Sequence, residues 1–276
     1  MKVLRLTVAM LTVTAALYTC ATAATVESRV DLDVKVATAH LWRGQILNDE
    51  AVIQPSVTIT AGEWALNLWG TWDIDETTNS SARQRIDASL EYSWMKDNHI
   101  LTPGMTAYIY HDAGYGQAEN DTVEAFLEYT YLVIRPATQQ ESEKILLIPS
   151  LRINYDFGEI DGFYSSLTLQ RSFGLVDDQM DLSLRMDIGM ADESYAQAKF
   201  SYPATGTSTN GFTPDGAGLT DISITAETPI VLNETWSVTP SIKFMTLLDS
   251  DIKDAAEAAG EETEETSLAV TLSAQF

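Results

Sequence analysis

The 276-residue sequence predicts an all-β protein, an antiparallel transmembrane β-barrel of about twelve strands behind an N-terminal signal peptide. Three observations carry this prediction. Apolar and polar residues alternate with period two along most of the chain, the alternating stretches are long, and tryptophans gather at their ends.

Residues 1–23 read as the signal: Lys2 and Arg5 form the positive start, Leu6 to Leu17 the apolar stretch, and Ala21-Thr22-Ala23 a small-residue cleavage site before Ala24. The stretch is too short for a spanning helix, which needs ~20 apolar residues. Residues 24–276 then form the barrel. Cys20 is the only cysteine and leaves with the signal, so no disulfide or thiolate metal site is expected. Lipoprotein processing at Cys20 is the alternative, and Tyr18 and Thr19 fit it poorly because small residues suit that peptidase.

Charged residues are 20% and apolar residues 45% of the chain, enough to order it. Loss of Lys2 and Arg5 takes the net charge from −24 to −26, which repels phosphate backbones, so nucleic acid is not an expected partner. After Ala24 no run of 18 apolar residues occurs, and only a closed barrel could then span a bilayer.

Alternation begins with Val30, Leu32, Val34 and Val36 against Asp31, Asp33 and Lys35. It recurs over Ile86 to Trp94 and Met180 to Ile188. Read throughout, it gives strands near 29–44, 52–60, 63–73, 84–94, 100–110, 122–134, 145–157, 162–173, 179–189, 218–229, 236–247 and 266–276. Short connections (Ala61-Gly62, Met95 to His99, Gly174 to Asp178, Ile230 to Thr235) alternate with longer polar ones (Ile74 to Arg83, His111 to Asp121, Met190 to Ala217, Leu248 to Glu265). Arg135 to Lys144 is long for a turn, and Gly158 to Asp161 is short for an outer loop.

A soluble β-sandwich also alternates, so other features must decide. Most of these strands run 9 to 13 residues, against a soluble mean of ~5 to 6 and the ~9 to 11 needed to cross a bilayer. Five of the six tryptophans fit aromatic girdles on the apolar phase: Trp42 and Trp72 at loop ends, Trp64, Trp94 and Trp236 at turn ends. Trp69 alone shares the polar phase. Tyr129, Tyr131, Tyr155, Phe157, Phe163 and Phe173 extend the girdles. The chain ends in alternation through Leu268, Val270, Leu272 and Ala274 and stops at Phe276. That ending resembles the last strand of Gram-negative outer-membrane proteins, whose terminal aromatic is read by the barrel assembly machinery.

Within Val34 to Asp75, a first strand ending Leu41-Trp42-Arg43-Gly44 precedes Gln54-Pro55-Ser56 and an aromatic-rich third strand. This segment resembles the TorF-type family of small outer-membrane porins, in which an aromatic-Arg-Gly element ends strand one. The resemblance implies a channel in the outer membrane. Barrels of the MltA-interacting type look similar and imply a plugged structural or docking role. From the residues alone, Arg43 falls on the polar phase at the outer rim, either functional or paired with a carboxylate, and Gly44 permits a tight exit into the loop.

With the apolar phase facing lipid, the inward set holds ten acids (Asp31, Asp33, Asp73, Asp87, Glu91, Glu124, Glu128, Asp156, Asp181, Asp187) and six bases (Lys35, Arg43, Arg85, Arg152, Arg185, Lys243). Such a wall predicts a hydrated pore for small solutes with mild preference for cations. Pairing the sixth and seventh strands through their turn sets Glu128 opposite Arg152 and Glu124 opposite Asp156. The second pair of like charges needs a base, a proton or a cation between them, which makes it a candidate cation site. Leu248 to Glu265 carries eight acids and one lysine, including Glu261, Glu262, Glu264 and Glu265, but lacks EF-hand spacing, so a solvated charged loop is expected over a calcium site. Neither a resident metal nor a cofactor is expected. An outer-membrane hydrolase is the hypothesis from another class. His111 beside Asp112 is its one acid-base pair, and no G-x-S-x-G, H-E-x-x-H or P-loop accompanies it, so no enzyme is expected.

Overall fold

The computed structural model describes residues 27–74, 84–111, 121–135, 144–176, 180–202 and 211–276. Residues 1–23, expected as the signal, most of the Ile74 to Arg83 and His111 to Asp121 connections, and residues 136–143 lie outside these residues.

The alternating segments form strands β1 (Ser28–Ala37), β2 (His40–Trp42), β3 (Gln45–Asn48), β4 (Val52–Ala61), β5 (Trp64–Asp73), β6 (Gln84–Tyr92), β7 (Trp94–Lys96), β8 (His99–His111) and β9 (Thr122–Tyr131). They continue as β10 (Val133–Arg135), β11 (Lys144–Asp156), β12 (Gly162–Val176), β13 (Met180–Ala191), β14 (Gly218–Glu227), β15 (Ile230–Val231), β16 (Trp236–Leu247) and β17 (Glu264–Gln275). Fifteen of them share one antiparallel sheet, and β2 and β3 pair only with each other. β6 with β7, β9 with β10 and β14 with β15 are single staves broken by one or two residues, so the sheet has twelve staves. Each stave pairs with its sequence neighbour, and β1 pairs with β17 from Asp31↔Gln275 to Ala37↔Ala269, closing the barrel. Phe276 completes that seam through two backbone hydrogen bonds with Val30, at 2.9 and 3.0 Å.

The phase of alternation sets what each face meets. Leu32, Val34 and Val36 on β1 and Leu268, Val270 and Leu272 on β17 are exposed outside, in a belt that water would not tolerate and lipid would cover. Trp64, Trp94 and Trp236 are exposed at the barrel end that carries both termini, and Trp64 packs edge-on to Tyr92 at 5.1 Å. Trp72, Tyr155, Phe157 and Phe163 lie toward the opposite, loop end, where Tyr155 and Phe163 have ring centroids 4.6 Å apart.

Short connections follow local chemistry. Gly62 takes φ 58° in the β4–β5 turn, and Asn233 accepts from the backbone N–H groups of Thr235 and Trp236 at 2.9 Å each. The β4–β5 ladder skips Gln54 and Pro55, where proline has no N–H to give. The short Gly158 to Asp161 turn is held by Asp156, whose Oδ1 accepts from the N–H groups of Gly158, Glu159 and Ile160 and from the Thr122 hydroxyl.

Three expectations change. The first strand does not run to residue 44: β1 ends at Ala37, and β2 and β3 form a hairpin folded into the barrel. Period two marks extended chain but not its pairing partner, so one pattern served both wall and hairpin. Trp42 consequently lies in the lumen and not in a girdle, and Arg43 leaves the rim with it. The loop connections also contain two helices, α1 (Glu193–Phe200) and α2 (Ser250–Ala259). Asp192 caps α1 through the Tyr195 N–H, while Asp249 caps α2 and Gly260, at φ 84°, ends it. The acidic segment is thus partly a capped helix, with Ile252 and Ala256 packed beside Tyr195, Ala196 and Phe200 of α1 over the loop end.

Lipid contact predicts opposite sensitivities on the two phases. Ile224→Arg, mid-stave and exposed outward, should destabilise the barrel by about 2–4 kcal/mol, and Ser237→Arg, facing inward near Asp33, should destabilise it by less. Denaturant titration in lipid vesicles measures both. Equal losses would overturn the facing.

Candidate functional site

The hairpin's tip is a two-residue turn in which Arg43 takes φ 48° and Gly44 φ 76°. Two successive left-handed residues make the type I′ geometry that suits the twist of a hairpin, at some strain for arginine. Gly44 is required twice, by its φ and by space, because a Cβ there would lie 2.9 Å from that of Asp221. The hairpin's base is tied to the seam side of the wall. Ser267 Oγ donates to the Ala39 carbonyl at 2.9 Å, Lys243 Nζ to the Leu41 carbonyl at 3.2 Å, and Leu41 packs on Met245 with Ile46 beside it.

From that base the tip crosses to β9, five staves from β1 in one direction and seven in the other. There Arg43 meets Glu124 in a two-pronged ion pair, Nη1–Oε1 at 2.7 Å and Nη2–Oε2 at 2.8 Å. Arg43 also donates to the hydroxyls of Tyr195 at 2.8 Å and Tyr108 at 3.4 Å, and Tyr108 donates to Glu124 at 3.0 Å. The guanidinium lies 4.5 Å from the Trp42 and Tyr164 ring centroids. Glu124 is 2% exposed, so a lone charge there would be expensive and Arg43 neutralises it. On α1, burial holds the Tyr195 phenol above its usual pKa although the Arg43 guanidinium pulls it down, so the hydroxyl stays protonated.

The register sets Glu124 opposite Asp156 and Glu128 opposite Arg152. Arg43, brought from 81 residues away, is the base beside Glu124, which corrects the expectation of a cation between the two acids, while Asp156 is held in its turn through Oδ1 and its Oδ2 is buried without a hydrogen-bond partner. Arg152 lies 3.5 Å from Glu128 and is stacked over Phe126, its guanidinium carbon 3.5 Å from the ring centroid. Arg85 pairs with Asp87 at 2.8 Å and lies 4.4 Å from the Trp42 ring centroid, and Arg185 pairs with Asp187 at 2.8 Å.

Beneath the hairpin, on the side of the β1–β17 seam, lies a chamber of about 550 Å3. It collects Lys35, Arg85, Asp87, Arg185, Asp187 and Lys243, which sequence reasoning spread around the wall. Glu227, Trp69 and His40 join them. Glu91 and Asp181 are not in this chamber; they share the inward phase nearer the end with the termini, with Asp31 and Asp33. Tyr108, Tyr164, Asp221 and Glu227 were missed as lumen residues. The available signal was phase, since each alternates with outward apolar neighbours, as Asp221 and Glu227 do with Ile222, Ile224 and Ala226. Tyr195 gave no such signal because it comes from a helix. Among the described residues no group of three or more His, Asp or Glu side chains converges to hold a metal ion. Asp112, and with it the His111–Asp112 pair, lies outside the described residues.

No family model matches the chain, so the resemblance to TorF-type barrels rests on Val34 to Asp75 and the terminal Phe276 and is not confirmed. No curated protein matches either. Among solved structures, the NanC porin aligns with 88% of this chain and 98% of its own at 10% identity and TM-score 0.49. The KdgM porin aligns with 90% and 99%, also at 10% identity and TM-score 0.49. The COG4313 outer membrane channel from Pseudomonas putida F1 aligns with 92% and 97% at 10% identity and TM-score 0.41. Similarity at this level transfers neither solute nor activity.

The latch predicts coupling across the lumen. Glu124→Leu leaves the Arg43 charge uncompensated and should destabilise the barrel by about 3–5 kcal/mol, Arg43→Met should likewise strand Glu124, and the double variant should recover most of either loss. Thermal unfolding of the four forms in detergent completes the cycle. Additive effects would contradict the pairing.

Proposed function

We propose that the protein is an outer-membrane channel through which small solutes pass, with the β2–β3 hairpin narrowing the lumen. The carrying observation is a polar interior inside an apolar exterior: charged and hydroxyl side chains line a chamber of about 550 Å3 within a closed barrel. A purely structural barrel would have no need to keep such space polar. The aromatic bands and the Phe276 seam support residence in the outer membrane after export and assembly, with cleavage of the signal before Ala24.

A mild preference for cations forms part of this reading. Asp31, Asp33, Glu91 and Asp181 share the inward phase toward the end with the termini, where Arg29 binds Asp31 at 2.8 Å and Arg152 acts on Glu91 from a distance. Glu124 contributes little, being neutralised in place by Arg43, and Asp156 is buried within its turn. The acidic loop segments add charge whose reach is only ~8 Å at ~0.15 M salt, whereas charges inside the lumen are screened less.

A plugged docking barrel is the second reading, favoured by one observation: the hairpin bridges the lumen and is latched at its far side. Planar-bilayer recording decides between them. The parent should conduct and show a cation-selective reversal potential under a salt gradient, and Asp33→Asn with Glu91→Gln should reduce that selectivity. Absence of conductance in both the parent and Arg43→Ala would favour the plugged barrel. An anion-selective parent would overturn the electrostatic argument.

A further inference from the structure

The chamber under the hairpin differs in sign from the barrel as a whole. Its charged lining is Lys35, Arg85, Arg185 and Lys243 against Asp87, Asp187 and Glu227, a formal excess of one positive charge with His40 neutral. Both arginines are engaged, each by the carboxylate two residues along its own strand. Neither lysine has so close a partner among the described residues: Lys243 donates to the Leu41 carbonyl, with Asp187 and Asp221 acting on it from farther away, and Glu227 acts on Lys35 in the same way.

The rest of the lining describes the shape of what would fit. Hydroxyls of Thr225, Thr239, Ser241, Ser267 and Thr271 face the chamber with the amides of Gln54 and Gln170, and Trp69 offers an indole beside them. On the roof, His40 is 6% exposed, and its Nδ1 is buried without a hydrogen-bond partner. The volume falls within the ~300–1,000 Å3 of small-molecule sites.

We propose that this chamber is a binding site for a small hydroxylated organic monoanion, its carboxylate held between Lys35 and Lys243 and its hydroxyls by the Ser, Thr and Gln lining. The proposal rests on the reading of the barrel as a solute channel and adds the class of solute that dwells in it. It is compatible with cation preference among simple ions: that preference arises from the acids toward the end with the termini, and the chamber lining carries a formal excess of only one positive charge. A basic site behind an acidic mouth retains one kind of anion without making the pore anion-selective.

The test uses gluconate as probe on the full mature barrel, with glucose as the uncharged control. In planar bilayers gluconate should reduce the parent's current in a saturable way, and glucose should do so only at concentrations at least tenfold higher. Lys35→Gln with Lys243→Gln should still conduct and should raise the half-blocking gluconate concentration at least tenfold. Unchanged gluconate block in that variant, or equal block by glucose, would overturn the proposal while leaving the channel reading intact. If the parent does not conduct, the channel reading fails and calorimetric titration of the folded, heat-modifiable barrel in detergent decides the site. Gluconate binding that is lost in the double variant supports it, and no binding by the parent overturns it. Gln54→Ala with Thr271→Ala should weaken gluconate about as much as glucose, separating hydroxyl from charge recognition; loss of neither would overturn the hydroxyl contacts.

Discussion

Everything in this molecule depends on closing the sheet. In hydrocarbon no water can take an unpaired N–H or carbonyl, so a stave with a free edge would be prohibitively costly and only a ring of staves is admissible. The β1–β17 seam meets that demand with unbroken antiparallel register from Asp31 to Ala37, extended at the bottom by the reciprocal Val30–Phe276 bonds. Closure also separates two solvents. It places one phase of every strand against lipid and the other against an enclosed aqueous space, where charge is tolerable.

Inside that space, the balance between desolvation and pairing decides which charges stay. Glu124 is almost fully buried by the hairpin that covers it, and the same hairpin carries the arginine that compensates it, so burial and neutralisation arrive together. Tyr108 and Tyr195 occupy further positions of the guanidinium fork, and Trp42 and Tyr164 pack on its face. A lysine would offer a point charge with no planar face to stack, which accounts physically for an arginine at a position where its backbone is strained.

The wall was legible because period-two alternation, strand length and end-of-strand aromatics are local properties. Counting outward from a turn was enough to set Glu128 opposite Arg152 and Glu124 opposite Asp156, as the ladder has them. The interior was not legible to the same depth. Leu41-Trp42-Arg43-Gly44 reads equally well as a strand end and as a hairpin tip, and what separates the two is docking against residues far along the chain, from Tyr108 to Ser267. Tyr195 reaches the latch from a helix with no marked apolar face, so periodicity was silent about it. α2 was more nearly visible: Asp249 and Gly260 bracket an alanine-rich run, but the abundance of acids drew the reading toward a solvated loop.

The hairpin's position also dictates an order of events. Its own strands come directly after the first stave, yet its socket is assembled from Glu124 on the sixth stave, Tyr195 between the ninth and tenth, Met245 on the eleventh and Ser267 on the twelfth. A lumen does not exist until those staves curl round to meet β1. Docking of the hairpin therefore cannot be complete before the twelfth stave is in place, so the narrowing of the lumen belongs to the last stage of assembly.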